Sequence, residues 1–366
     1  MPFSVQDHAY MAQALRLAEK GLYSTHPNPR VGCVIVKDND VIGEGWHEYA
    51  GGPHAEVHAL AQAGSRAAGA TAYVTLEPCC HHGRTPPCSE ALIQAGIKEV
   101  IVAMEDPHFR VAGQGINQLT AAGIKVQTGL LQAEAAQLNP GFIRRMQTGR
   151  PYVRAKLAMS LDGRTAMASG ESKWITSAAA REDVQRLRAR CDAIMTGVGT
   201  VLADDPAMTV RDLEIRQQPL RVIMDTHLST PTTAKMLKVP GKTLVMTCSA
   251  EDEIRVQLEQ AGAEVETLPF CGKTVDLEHV LVQLGKREIN EVLLETGATL
   301  SGSMLQQGLI DELVIYMAPV LMGNAARGLF HLPGLESMAD KIELQIQDIR
   351  AVGVDWRITA QVRQKA

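Results

Sequence analysis

Three side chains of types that can ligate a metal stand close together in this 366-residue chain: His54, Cys79 and Cys88. An acid, Glu56, follows the histidine by two places. Any fold the chain adopts has to bring the segment around 54–56 against the segment 79–88, and this constrains it more than composition does. One imidazole and two thiolates suit zinc and leave a fourth tetrahedral position for water. Zinc in turn makes hydroxide available near neutral pH. Glu56 is then placed to move protons, which requires hydrogen-bond reach. Pro53 and the apolar repeat Ala55, Val57, Ala59, Leu60 predict a buried helix from His54 to Ala63, with both His54 and Glu56 in its first turn.

A histidine, a glutamate two residues on and a downstream Pro-Cys with a second cysteine form the pattern of zinc enzymes that deaminate nucleobases. Here the cysteines are further apart than Cys-x-x-Cys, since Cys80-His81-His82-Gly83-Arg84-Thr85-Pro86-Pro87 separates Cys79 from Cys88. Cys80 points the opposite way from Cys79 in an extended chain and is read as packed or exposed, not as a ligand. His81 and His82 lie in a Gly/Pro loop and are read as lining the pocket or facing solvent. His58 stands four residues after His54, but Glu56 is out of register for His-Glu-x-x-His, which excludes a metalloprotease.

The length suits two domains. A hydrophobic fraction of 45% and a charged fraction of 21% describe a folded globular chain. The net charge of -5 gives no basic footprint for nucleic acid. Seven cysteines, an odd number without framework spacing, fit a reducing compartment. No leader pattern and no apolar run of about 20 residues occurs. The expectation is a cytoplasmic enzyme with a small-molecule substrate, no nucleic acid and no membrane.

Strands and helices alternate along both halves, the mark of α/β sheets covered on both faces. In the first half a helix is expected over Gln6 to Gly21. A hairpin follows, formed by Val31 to Val36 and Val41 to His47. Further strands are expected at Thr71 to Leu76, Val100 to Ala103 and Ile124 to Val126, with helices near Ser89 to Ala95 and Ile116 to Ala122. Asn139-Pro140-Gly141 and Gly149-Arg150-Pro151 bracket a short polar segment, which places the domain boundary near 149. The second half restarts at Tyr152 to Leu157, carries a long helix over Ser177 to Arg190, and has strands at Ala193 to Gly197, Leu220 to Asp225, Thr243 to Thr247 and Val292 to Glu295. No Gly-x-Gly-x-x-Gly follows any of them. The strand-to-helix turn from Gly297 to Ser303 is a candidate phosphate cradle of small residues.

Glu77-Pro78-Cys79-Cys80-His81-His82-Gly83-Arg84-Thr85-Pro86-Pro87-Cys88 resembles the zinc loop of the riboflavin-biosynthesis deaminases. The resemblance extends to His26-Pro27-Asn28-Pro29-Arg30-Val31-Gly32-Cys33-Val34 and Gly51-Gly52-Pro53-His54-Ala55-Glu56. In the second half, Ala158 to Thr165, Gly170 to Ile175, and Gly197 to Pro206 with Thr209-Val210-Arg211 resemble the reductase half of the same bifunctional deaminase/reductase family. The resemblance implies two α/β domains: a cytidine-deaminase-like three-layer α/β/α domain over 1–149 and a dihydrofolate-reductase-like α/β domain over 150–366. It implies hydrolytic deamination of 2,5-diamino-6-ribosylamino-4(3H)-pyrimidinone 5′-phosphate with one zinc ion per chain. It further implies NADPH-dependent reduction of the ribosyl group to ribityl, and a homo-oligomer, a dimer or tetramer. At Asp106-Pro107-His108-Phe109 the family pattern expects Asp-Pro-Asn-Pro, so this chain departs from it.

By the same resemblance Glu56 is catalytic, and NADPH lies against Ala158, Trp174, Thr200, Asp204, Thr226 and the turn Gly297, Ala298, Thr299, Leu300, Ser301, Gly302, Ser303. The sugar phosphate meets Ser172, Arg188, Met208, Arg211 and Glu295. Forked arginine donors suit a phosphate, and a glutamate at a strand end can accept from sugar hydroxyls. Asn28 and Arg84 suit contacts to the pyrimidine edge and the phosphate; against this, Asn28 between prolines can simply shape a turn and Arg84 can simply be solvated. Lys156 and Asp204 are both candidate proton donors for the reduction. The competing readings are a tRNA or free-base zinc deaminase fused to a dihydrofolate-reductase-like domain of other substrate, and a structural zinc module, which would need a fourth protein ligand.

Overall fold

In a computed structural model, which describes residues 3–80, 86–108, 112–271 and 274–363, the chain divides into two compact units, Met1–Gly149 and Arg150–Ala366.

The first unit contains α1 (Val5–Glu19), β1 (Gly32–Lys37), β2 (Asp40–Trp46), α2 (Ala55–Ala63), β3 (Thr71–Val74), α3 (Cys88–Gln94), β4 (Glu99–Val102), α4 (Gln114–Ala121), β5 (Lys125–Thr128), α5 (Gln132–Leu138) and α6 (Pro140–Thr148). Its five-stranded sheet has the order β2-β1-β3-β4-β5. The β1–β2 hairpin is antiparallel, β1 pairs antiparallel with β3, and β3, β4 and β5 run parallel. The near-continuous apolar run of β1 feeds both faces. Cys33 and Ile35 pack with Ala55, Ala59, Leu92 and Leu119 from α2, α3 and α4 on one side, while Val34 packs with Met11, Leu15, Leu130 and Ala135 on the other. This is the three-layer arrangement.

Gly43 and Gly45 explain how α2 comes so near the sheet. A Cβ at Gly43 would lie 2.2 Å from the Ala59 carbonyl oxygen, and one at Gly45 would lie 2.2 Å from that of Ala55. His54 differs from the sequence expectation in one respect: it is the N-cap of α2, with extended φ/ψ, and not a residue of its first turn. The polar stretch after Asn139, read from the sequence only as a segment beside the domain boundary, is helix α6. Pro140 opens that helix, where a missing N–H costs nothing, and Gly149 closes it in the left-handed region.

The second unit contains β6 (Tyr152–Ser160), β7 (Arg164–Ala166), α7 (Ala178–Arg190), β8 (Ala193–Gly197), α8 (Val198–Asp204), β9 (Leu220–Met224), α9 (Lys235–Lys238), β10 (Thr243–Thr247), α10 (Asp252–Gln260), β11 (Ala263–Thr267), β12 (Phe270–Cys271), β13 (Thr274–Val275), α11 (Leu277–Lys286), β14 (Glu291–Leu294), α12 (Ala298–Gln306), β15 (Glu312–Ala318), β16 (Arg327–Gly328), β17 (Leu344–Val352) and β18 (Asp355–Val362). Its main sheet has nine strands in the order β11-β10-β9-β8-β14-β6-β15-β18-β17. All are parallel from β11 to β15, and β18 and β17 add an antiparallel hairpin. One face buries Val153, Met195, Val222 and Val292 against α11 and α12; the other buries Ile194, Ile223 and Leu293 against α7 to α10. The late strand β14 inserts between β8 and β6, and the carboxyl ends flanking such a reversal are where open α/β sheets bind ligands.

Candidate functional site

Two chain segments build the metal centre. His54 caps α2, and Cys88 is the first residue of α3. Cys79 lies on the loop after β3, held by the Cys88 N–H donating to its Sγ at 3.3 Å. The ligand atoms of His54, Cys79 and Cys88 lie within 4.8 Å of one another. His54 Nδ1 is 3.2 Å from Cys88 Sγ and 3.5 Å from Cys79 Sγ. Tetrahedral zinc with N and S ligands needs edges of roughly 3.5–3.8 Å, so the donor set fits zinc in both chemistry and spacing.

The electrostatics agree. The hydrogen bond with Cys88 and the nearby His54 hold the Cys79 thiol down at about 4, while the same bond and burial push the Cys88 thiol well up. Contact with Cys79 also raises the His54 imidazole. Glu56 is buried, and burial, with the charge on Cys79, pushes its carboxyl up to about 7. A carboxyl poised there both takes and gives a proton at neutral pH.

Sequence reasoning missed His47. Its ring lies edge-on to that of His54, with centroids 5.3 Å apart. Nδ1 is 3.0 Å from the Pro53 carbonyl, which can only accept, so Nε2 accepts from Asn28 Nδ2 at 3.0 Å. Burial lowers the His47 pKa and keeps this neutral tautomer. Asn28 is thus oriented beside the metal ligands by a residue whose only sequence signal was its place at the end of the β1–β2 hairpin. Arg84 lies outside the described residues. Cys80 is half-buried, and its Sγ meets Gln114 Oε1 at 3.8 Å.

In the second unit the residues singled out in the sequence gather at the carboxyl ends of the central strands. Glu295 follows β14, Thr226 follows β9, Thr200 and Asp204 lie on α8 directly after β8, and Ala158 is near the end of β6, opposite Tyr316. Gly297 is the N-cap of α12, with open space where a Cβ would stand. Ala298 and Thr299 continue its first turn, but the later part of the stretch turns inward. Leu300 packs on Gly197, Ser301 is buried, and a Cβ on Gly302 would lie 2.0 Å from the His331 carbonyl oxygen. Gly302 is therefore required by chain packing, and Ser303 accepts from Gln307 Nε2 at 3.2 Å.

Arg188 and Glu295 are brought together, with Arg188 Nη1 also donating to the Thr209 carbonyl at 2.9 Å. Lys156 Nζ stands 3.9 Å from Glu295, and Lys173 pairs with Asp204 at 2.9 Å. Trp174 is 71% exposed with the Arg181 guanidinium 4.6 Å over its ring, and Ser172 is on the same loop. Met208 is buried in the left-handed region at φ 47. Arg211 accepts its place through its backbone N–H, which donates to Gln185 Oε1 at 3.0 Å, and its side chain is exposed.

Residues 4–104 match the cytidine and deoxycytidylate deaminase zinc-binding region, and residues 151–358 match the RibD C-terminal domain. The riboflavin biosynthesis protein RibD of Escherichia coli is 52% identical over 363 residues, covering 96% of this chain and 98% of its own. That of Haemophilus influenzae is 47% identical over 371 residues, covering 98% of each. The solved structure of Acinetobacter baumannii RibD superposes with a TM-score of 0.91 at 50% identity, covering 98% of this chain and 99% of its own. A Thermotoga maritima structure, described as a diaminohydroxyphosphoribosylaminopyrimidine deaminase/5-amino-6-(5-phosphoribosylamino)uracil reductase, does so at 0.87 with 33% identity and the same coverage. The three-layer first unit and the parallel sheet of the second are thus a cytidine-deaminase-like domain and a dihydrofolate-reductase-like domain, and the chain belongs to the RibD family of bifunctional riboflavin-biosynthesis enzymes, a zinc deaminase joined to an NADPH-dependent reductase.

Proposed function

We propose that residues 1–149 hydrolyse the 2-amino group of 2,5-diamino-6-ribosylamino-4(3H)-pyrimidinone 5′-phosphate, and that residues 150–366 then reduce the ribosyl group of the product to ribityl phosphate with NADPH. The observation that carries this is the convergence of His54, Cys79 and Cys88 around one point with the buried Glu56 beside them. His54, Cys79 and Cys88 hold the zinc, which when bound supplies a water acidified to near neutrality. Glu56 would take one proton of the attacking water and give it to the ring nitrogen, then take that water's second proton and give it to the departing amine, which leaves as ammonia. Asn28, steadied by His47, orients the pyrimidine edge, and Arg84 meets the phosphate.

In the reductase the hydride is the cofactor's own, so the protein's work is alignment and charge. The open first turn of α12, from Gly297 to Thr299, receives phosphate oxygens on backbone N–H groups; Leu300, Ser301, Gly302 and Ser303 hold that turn in place. Ala158, Trp174, Thr200, Asp204 and Thr226 border the cofactor. Ser172, Met208 and Arg211 border the sugar phosphate, and Glu295, fixed by Arg188, accepts from its hydroxyls. Lys156, close to Glu295, and Asp204 are the proton donors to be distinguished by mutation.

We place the enzyme in the cytoplasm; among the described residues no helix is long and apolar enough to cross a membrane. A homo-oligomer is in keeping with the edge strand β17, where Ile346 and Ile349 are 59% and 52% exposed. Light scattering gives its size.

The test follows ammonia release and NADPH oxidation together in wild type and Glu56→Ala. Both signals in wild type, with ammonia lost and reduction of supplied deaminated intermediate retained in Glu56→Ala, are expected. Ammonia without NADPH consumption, even with that intermediate supplied, would overturn the reductase assignment.

A further inference from the structure

Glu77, two residues before Cys79, is 4% exposed, and its acceptors are filled by backbone amides alone. Oε2 accepts from the N–H groups of Asp106 and Gly113, each at 3.0 Å, and Oε1 from those of Gly115 at 2.9 Å and Ile116 at 3.3 Å. The carboxylate therefore sits on the first turn of α4, where orphan amides and the helix dipole favour an anion. That turn presses on the peptide ahead of the metal ligand, since a Cβ on Gly115 would lie 2.0 Å from the Pro78 carbonyl oxygen. Further along α4, Gln118 Oε1 is 2.7 Å from the Ser89 hydroxyl, which stands 3.0 Å from the Cys79 carbonyl oxygen; the Ser89 N–H donates to that same oxygen at 3.1 Å. Ser89 directly follows Cys88. Helix α4 carries no ligand, yet both cysteine segments are tied to it, one through Glu77 and the other through Ser89 and Gln118.

We infer that Glu77 is a positioning residue for the metal centre: by clamping the Pro78-Cys79 segment to α4 it sets the Cys79 thiolate at the spacing from Cys88 that zinc requires. The inference rests on the zinc reading given above. A glutamine here turns a donor NH2 toward two backbone N–H groups, so one side of the clamp opens without loss of volume. Residues that orient ligands in this way are typically worth about 10- to 100-fold in metal affinity. In Gly115→Ala the carboxylate stays, and its platform is pushed off Pro78.

The experiment uses full-length wild type, Glu77→Gln and Gly115→Ala. Zinc affinity is read by chelator competition and ligand geometry by the thiolate-to-cobalt absorption bands after Co²⁺ substitution. Deamination kcat and KM are measured separately, a retained first transition in thermal unfolding serves as the folding control for the first unit, and reduction of supplied deaminated intermediate as that for the second. The clamp predicts zinc bound about 10- to 100-fold more weakly, shifted cobalt bands, and a fall in kcat larger than any change in KM in both variants, with reduction unchanged. Zinc affinity within about twofold of wild type and identical cobalt bands in Glu77→Gln would overturn it. If Glu77→Gln does not fold, Gly115→Ala decides by the same readouts. Failure of wild type itself to bind zinc overturns the functional reading and the clamp with it, whereas equal binding by wild type and variants overturns the clamp alone.

Discussion

Arg188, in the last turn of α7, and Glu295, just after β14, form a two-pronged ion pair, Nε to Oε1 at 2.6 Å and Nη2 to Oε2 at 2.9 Å. Burial alone would raise the Glu295 carboxyl, but the Arg188 guanidinium, with Lys156 behind it, holds it down at about 2. The pair fixes a fully charged acceptor where the sheet opens, and leaves Arg188 little of its fork for anything else.

The pH dependence follows from that shift. A carboxyl depressed from 4.5 to about 2 adds stability that is fully present above its unfolded pKa and lost as pH falls toward 2. The difference is on the order of 3 kcal/mol. In Glu295→Gln the acid loss of stability between about pH 4.5 and 2 should flatten by part of this amount. Denaturant midpoints across that window, compared with wild type, measure it.

Glu56→Gln should retain one zinc per chain and lose deamination by about 10²- to 10⁴-fold, the usual contribution of a positioned general acid-base group. Metal content and ammonia release are read on the same sample. A loss of zinc would instead make Glu56 a ligand.

Cys88→Ser removes a sulfur donor from a site where, among the described residues, three side chains converge. Ammonia release should vanish and zinc be lost to a mild chelator, while NADPH oxidation on supplied deaminated intermediate continues. Parallel loss of both activities would tie the metal to the second unit.

Gly45→Ala tests the seating of α2. The added methyl would stand 2.2 Å from the Ala55 carbonyl oxygen and 2.7 Å from Ala59 N. Overpacking of this kind costs about 1–3 kcal/mol. Because α2 carries Glu56 and is capped by His54, deamination should fall along with the first transition in thermal unfolding, and reduction should not.

The metal centre was legible because its chemistry is written locally: His54, Glu56, Cys79 and Cys88 span a short stretch, and each residue type has few other uses at that spacing. The first sheet's strands, and β6, β8, β9, β10 and β14 of the second, were legible as apolar runs; β15 was not read, nor were β11, β17 and β18, whose polar or exposed residues break such a run. Helix α6 was not, because Asn139-Pro140-Gly141 reads as a break when Pro140 is in fact an N-terminal helix residue. His47 and Glu77 were illegible for a different reason. Their importance lies in partners, Asn28 and Pro53 for one and the amides of Asp106 to Ile116 for the other, that no spacing rule connects. Gly302 shows the converse: a glycine in a small-residue turn that the close His331 carbonyl already requires, a packing reason no spacing rule reveals.

The place of β14 between β8 and β6 has a consequence for the order in which the molecule gains its abilities. The three side chains proposed to hold zinc are all synthesised by residue 88, and the strands of their sheet all lie before residue 149. The site proposed for the reductase lies at the ends of β6, β8 and β14, at residues 160, 197 and 294, so it cannot assemble until a strand made late has slotted between two made early. Such long-range pairings are slow to form. On a ribosome, by the proposed function, the nascent chain would therefore be able to hold metal well before nucleotide, and cofactor retention would report that β14 has taken its place.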